Sequence, residues 1–172
     1  MGDHSRTMIE SVTDGTEPPR GDPPLDVSIK LRITPRGKGR PRTTFKGGVR
    51  TYTPKTTREY QTELWQLIKP HLPDRIEGPI RIDAVFFLKR PKRLMGKKHA
   101  DVLYCTSKPD LDNCCKALWD ACKACFEDQQ VVATSMLKVY ATKQGSPQIL
   151  IRVRRPKDDI TSEINRLMWQ DV

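Results

Sequence analysis

The sequence predicts an α+β domain in which helices pack on a mixed β-sheet, and three observations carry that prediction. Residues 27–34 and 80–88 alternate apolar and polar side chains with the period of a half-buried strand. Residues from about 54 to 69 and from 111 to about 126 instead repeat apolar side chains at helical spacing. The whole chain reads β, α, β, α, β, β, α, and its 172 residues suit one compact core.

Residues 1–26 hold Pro18, Pro19, Pro23 and Pro24 and few large apolar side chains, so they are expected to form a disordered acidic tail. The domain proper is then expected to span 27–172. Its first strand turns Val27, Ile29, Leu31 and Ile33 to one face. The following stretch, "PRGKGRPRTTFKGGVRTYTP", is rich in Gly and Pro without apolar period. It predicts a long flexible loop, with a short ribbon turning at Gly47 and Gly48. Thr53 as cap and Pro54 as first helical residue open a helix to about Lys69, with Tyr60, Leu64, Leu67 and Ile68 on its apolar face. In the second strand Ile80, Ile82, Ala84, Phe86 and Leu88 share a face, and Pro91 with the basic run Lys89–Lys98 turns it into a loop. The next helix, Leu111 to about Phe126, clusters Leu118, Ala121, Cys122 and Cys125 on one side. Two strands follow within 131–143 and 148–155, joined by a turn at Gly145 and Pro147. A last helix has Asp159 as cap and Ile160, Ile164, Leu167 and Met168 at helical spacing.

Lys and Arg number 31 against 21 Asp and Glu, a formal charge of +10 that points to a polyanionic partner, nucleic acid before membrane. No apolar run reaches transmembrane length and the N-terminus lacks a signal peptide's apolar core, so a soluble, cytoplasmic protein is expected. Between Val27 and Arg58 stand ten basic residues and no acid. Arg36, Lys38, Arg40, Arg42, Lys46 and Arg50 suit phosphate contacts, as do Arg90, Lys92, Arg93, Lys97 and Lys98 in the second basic run. Phe45 and Tyr52 flank the first run and are equally consistent with base stacking and with ordinary packing. His4, His71 and His99 are scattered, without neighbours that suggest a base or a zinc ligand. Cys114, Cys115, Cys122 and Cys125 fall in one helix, whereas zinc ligands usually come from turns and separate elements; they predict small packing residues.

The stretch "KPDLDNCCK" sets Asp110 and Asp112 one residue apart, with Lys116 one helical turn beyond the second. Like charges at that spacing need compensation from a helix N-terminus, a cation, or both. Pro109 favours a helix start just after itself, so both acids fit a first turn as plain caps. Downstream, "EDQQVV" leads a second acidic cluster into a strand. Carboxylates are the ligands Mg²⁺ prefers, and a lysine beside them can neutralise charge on a phosphoryl transition state. Asp120 in the same helix reads more readily as a solvated or capping acid than as a ligand. Asn113 is as consistent with orienting a carboxylate as with capping.

Taken together, "KPDLDN", the lysine four residues after its second aspartate, "ED-x-Q", and the upstream "KGRPR" and "RTYTP" resemble the RusA-type Holliday junction resolvases. The resemblance spans residues 34 to about 143. It implies Asp110, Asp112 and Asp128 as metal-binding carboxylates and Lys116 as the essential lysine. It also implies an intertwined homodimer that uses Mg²⁺, with Mn²⁺ able to substitute, to nick opposed strands of four-way or branched DNA, with no other small-molecule cofactor. This chain departs from the family in having Glu127 before Asp128, and cysteines at 114 and 115 where aliphatic residues are usual. A non-catalytic basic nucleic-acid-binding protein, or a nuclease for RNA or flaps, stands as the alternative.

One geometric expectation follows. A helix from Asp112 to Phe126 is about 20 Å long, too far for Asp128 to share a cation whose ligands lie at about 2.0–2.1 Å. Either the helix ends early, or a two-fold axis brings Asp128 of a second copy beside Asp110 and Asp112. In the second case Cys115, Trp119, Cys122 and Phe126 are expected near the axis.

Overall fold

The computed structural model describes residues 24–156 except Lys46, together with residues 160, 161 and 164. The expected acidic tail lies almost wholly outside the described residues, as do Asp159, Leu167 and Met168 of the last expected helix. Ile160, Thr161 and Ile164 are helical, and both isoleucines are exposed.

A five-stranded sheet runs in the order β1-β7-β4-β6-β5, from Asp26–Leu31 (β1), Gln148–Arg154 (β7), Ile80–Leu88 (β4), Val131–Tyr140 (β6) and Leu103–Tyr104 (β5). β4 and β6 are parallel and every other pair is antiparallel, so the sheet is mixed, as the sequence predicts. The two strands expected to follow one another across a turn do not pair. Gly145 closes that turn by donating to the Thr142 carbonyl at 3.0 Å, but β7 then inserts between β1 and β4 while β6 lies beyond β4. A separate two-stranded ribbon joins Arg42–Thr44 (β2) to Arg50–Tyr52 (β3). Its turn uses Gly47 and Gly48 at φ 72° and 111°, a region that L side chains rarely adopt.

Two helices cover one face of the sheet, Lys55–Ile68 (α1) and Leu111–Cys122 (α2). The alternating strand residues Ile29, Leu31, Ile82, Phe86, Ile149 and Val153 are buried beneath them. Each such side chain withdrawn from water contributes about 1.5–3 kcal/mol. Pro54, not Thr53, is the N-cap of α1; its carbonyl takes the Thr57 and Arg58 amides at 3.0 and 3.2 Å. Leu67 is exposed rather than buried, and Trp65 packs on the core in its place. α2 ends at Cys122, short of the expected Phe126, where the Cys125 and Phe126 amides both turn back to the Cys122 carbonyl.

The cysteines expected on the core side of α2 are there, and Cys115 and Phe126 join them. Burial pushes the Cys114 thiol up to about 11 and that of Cys122 to about 12. The face expected near a two-fold axis is thus largely occupied by the chain's own core, because α1 and the sheet cover it first. The exposed stripe of α2 is Asp112, Lys116 and, just past its end, Lys123. Among the described residues no helix is long and apolar enough to cross a membrane.

Candidate active site

Asp110 is the N-cap of α2, with extended backbone (φ −69°, ψ 148°), and its carbonyl accepts the first helical bond from Cys114 N–H at 3.1 Å. Its carboxylate makes no capping hydrogen bond. An aspartate at this position normally satisfies a free amide of the first turn, and here that task goes unperformed. Asp112 lies one turn before Lys116 on the exposed face and receives its ammonium at 3.0 Å. The hydrogen bond from Lys116 and its charge hold the Asp112 carboxyl below the ordinary aspartate value.

The stretch upstream of α2 is folded onto β6. Lys138 Nζ donates to the carbonyls of Ser107 at 2.8 Å and Pro109 at 2.7 Å. The Ser107 hydroxyl meets the Tyr140 hydroxyl at 2.9 Å. The peptide between Lys108 and Pro109 is cis.

From the other side the segment 35–39 closes over the helix start. Lys38 N–H donates to the Asn113 carbonyl at 2.9 Å. Gly37 sits so close that a Cβ there would lie 3.0 Å from Pro109 Cβ and 3.1 Å from Asn113 Cβ. Arg36 N–H donates to Tyr60 Oη at 3.0 Å, and its guanidinium lies 5.6 Å from the centre of the Tyr60 ring. Burial pushes the Tyr60 phenol up to about 12.

This part of the loop expected to be flexible is therefore pinned, and Lys38 is not a free cation. Its ammonium pairs with Asp120 Oδ2 at 2.6 Å. Asp120 also accepts from Gln61 Nε2 at 2.8 Å and pairs with Lys123 at 3.1 Å. Burial alone would raise the Asp120 carboxyl, but the bonds from Lys38 and Lys123 and their charge hold it below the ordinary value. Asp120 is thus neither a solvated acid nor a cap. It ties α2 to α1 and to the 35–39 segment, a role visible only once those elements meet.

Asp128 lies past the far end of α2, 3.8 Å from Lys123 Nζ and largely exposed. Lys123 is eleven residues beyond Asp112, a helical rise of about 16 Å. The early end of α2 therefore does not return Asp128 to Asp110 and Asp112. Among the described residues no group of three or more His, Cys, Asp or Glu side chains is placed to hold a metal ion. Glu127 acts as a cap, its side chain taking the Gln130 amide while Gln130 Oε1 takes the Glu127 amide at 2.7 Å.

Arg40, Arg42 and Arg50 are exposed on or beside the ribbon, and Lys46 lies outside the described residues. Phe45, 78% exposed, and Tyr52 are not packing residues. Lys92, Arg93, Lys97 and Lys98 are exposed on the loop after β4, but Arg90 is not. It is 7% exposed and donates to the carbonyls of Leu94 at 2.9 Å, Ala100 at 2.6 Å and Asp101 at 2.6 Å. Arg90 therefore shapes the basic loop from beneath. Charge alone could not separate it from its neighbours; its place in phase with Leu88 on the inward face of β4 was the available signal.

Asp110 and Asp112 offer hard, anionic oxygens on an exposed edge, which fits Mg²⁺ or Mn²⁺ but forms only part of a ligand set among the described residues. A family model described as Endodeoxyribonuclease RusA matches residues 32–154. The uncharacterized protein YqaN of Bacillus subtilis (strain 168) is 27% identical over 130 residues, covering 70% of this chain and 89% of that protein.

Proposed function

Because this chain belongs to the RusA endodeoxyribonuclease family, we propose that it is a Mg²⁺-dependent endonuclease that resolves four-way DNA junctions by paired nicks. The observation that carries this reading is the free Asp110 carboxylate at an N-cap, beside Asp112 and Lys116 on one exposed face. Asp110 and Asp112 hold the cation, and Asp128 of a second copy completes its ligand set. A bound ion would supply Lewis-acid polarisation of the scissile phosphate and activation of the attacking water. Lys116 neutralises charge developing on the phosphoryl oxygens. Arg40, Arg42 and Arg50 on and beside the ribbon, with Lys92, Arg93, Lys97 and Lys98 on the β4–β5 loop, grip the phosphates. The exposed Phe45 and Tyr52 rings are available to stack on unpaired bases.

The distance between Asp112 and Asp128 supports a site shared across a homodimer. Since the cysteine face is buried within one chain, the two-fold axis is proposed to face the exposed Asp112–Lys116–Lys123 stripe instead. Two such sites per dimer match the symmetric cuts of a four-way junction.

Incubation with labelled four-way junction and linear duplex, in Mg²⁺ and in chelator, tests the activity: only junction with Mg²⁺ should be cut. Cleavage of RNA or flaps in preference to the junction, or none at all, would replace this reading with one of its alternatives. Mixing inactive Asp110→Asn and Asp128→Asn proteins tests the sharing. After subunit exchange, a shared site regains one intact centre and nicks one strand, whereas sites within single chains stay dead.

A further inference from the structure

We infer that Lys138 is the positioning residue that aims the Asp110 carboxylate, an inference that rests on the metal-site reading above. Lys138 holds both ends of the segment leading into α2. Its carbonyl accepts the Cys105 amide at 3.0 Å, while its ammonium donates to the Ser107 and Pro109 carbonyls at 2.8 and 2.7 Å. The Pro109 carbonyl belongs to the peptide unit that ends at the Asp110 nitrogen. Peptide planarity makes that oxygen a handle: fixing it fixes the plane from which Asp110 departs. Asp110 has no capping bond to orient its own side chain, so its aim is inherited from this backbone.

The bonds are charge-assisted and short, the kind that keep direction as well as distance. The lysine stem rises from β6, which is paired along its length with β4 at the centre of the sheet. Asp110 is thus referenced to the central strands of the sheet. Tyr140, two residues on along the same strand, adds a second hold through the Ser107 hydroxyl at 2.9 Å. Lys116 does not duplicate this role: its ammonium faces solvent and pairs with Asp112.

The test uses the full chain, with Mn²⁺ binding read by calorimetry without DNA, junction binding read in chelator, and thermal melting. Lys138→Met keeps the apolar stem and removes the donors. Mn²⁺ affinity should fall about 10–100-fold, the usual cost of losing a partner that orients a metal ligand. At saturating Mn²⁺ and junction kcat should also fall, while junction affinity in chelator stays unchanged. Lys138→Arg, which can donate to both carbonyls, should recover most of the Mn²⁺ affinity. A merely structural lysine would lower the melting temperature without moving Mn²⁺ affinity. Undiminished Mn²⁺ binding by Lys138→Met, with weakened binding by Asp110→Asn, would remove the positioning role and leave the metal site standing. Undiminished binding by Asp110→Asn would remove the metal site, and this role with it. If Lys138→Met does not fold, Lys138→Gln takes its place; it should bind Mn²⁺ more weakly than the unaltered protein, and equal binding overturns the inference.

Discussion

The two ends of helix α2 both carry aspartates, and the chain treats them in opposite ways. At the C-terminal end Asp120 is surrounded by Lys38, Gln61 and Lys123, all within 3.1 Å, and serves as a knot between α1, α2 and the 35–39 segment. At the N-terminal end Asp110 has no capping bond, and Asp112 has an exposed lysine that can swing away. An acid that is structurally satisfied is unavailable for chemistry, while one held in place but left unpaired is ready for a cation. On the proposed reading the contrast separates stability from activity along one helix, and each of the following measurements can break or sharpen it.

The largest effect is expected from Asp110→Asn. Loss of the proposed metal-binding carboxylate should lower cleavage by about three orders of magnitude, corresponding to the several kcal/mol a cation contributes to a phosphoryl transition state. Junction binding and melting temperature should hold, because no capping bond is lost. A lower melting temperature with cleavage retained would make Asp110 a cap after all.

Lys116→Met comes next. Cleavage should fall on the order of a hundredfold or more with the melting temperature unchanged, since both partners of its ion pair are more than half exposed. Equal losses of stability and activity would erase the distinction between the two ends.

Asp120→Ala should show the opposite profile. It removes the acceptor of three donors, one pair partly shielded by a lysine only 33% exposed. A loss of about 2 kcal/mol is expected, read as a melting temperature lower by about 4–8 °C, with cleavage at permissive temperature within about threefold of the unaltered protein. The Asp120 carboxyl is held below its ordinary value near 3.8. Its stabilising contribution is therefore fully present above that value and lost as pH falls through the lower, folded one. The stability gap between unaltered and Asp120→Ala protein should stay constant above about pH 4 and narrow below it; a gap that widens in acid would contradict this.

The smallest change is expected at the exposed arginines on and beside the ribbon. Arg40→Ala with Arg42→Ala should flatten the salt dependence of junction binding by about one unit per contact, for every junction sequence alike. Lys38→Ala should leave the slope unchanged, because that ammonium is already paired with Asp120. A reduced slope for Lys38→Ala would mean the pair opens on DNA.

Much of the molecule was legible in its residues because the relevant physics is local. Strict alternation in 27–34 and 80–88 can bury one face only as a strand. Pro109 ahead of two aspartates marks a helix start, and i, i+4 spacing places Lys116 over Asp112 without reference to anything else. Gly47 and Gly48 mark a turn that needs positive φ. The fate of each cation was not local. Lys38 and Arg90 stand in the same basic runs as Arg40 and Lys92, yet one meets a carboxylate 82 positions away and the other is folded under its own loop. Nothing local to Lys138 points to the Pro109 carbonyl 29 positions away that it meets, and β7, though it follows β6 in the chain, lies between β1 and β4. Periodicity and capping chemistry act over a few residues and are written there. A hydrogen bond forms only within about 3 Å, and which distant groups come that close is decided when the sheet order and the helix packing are.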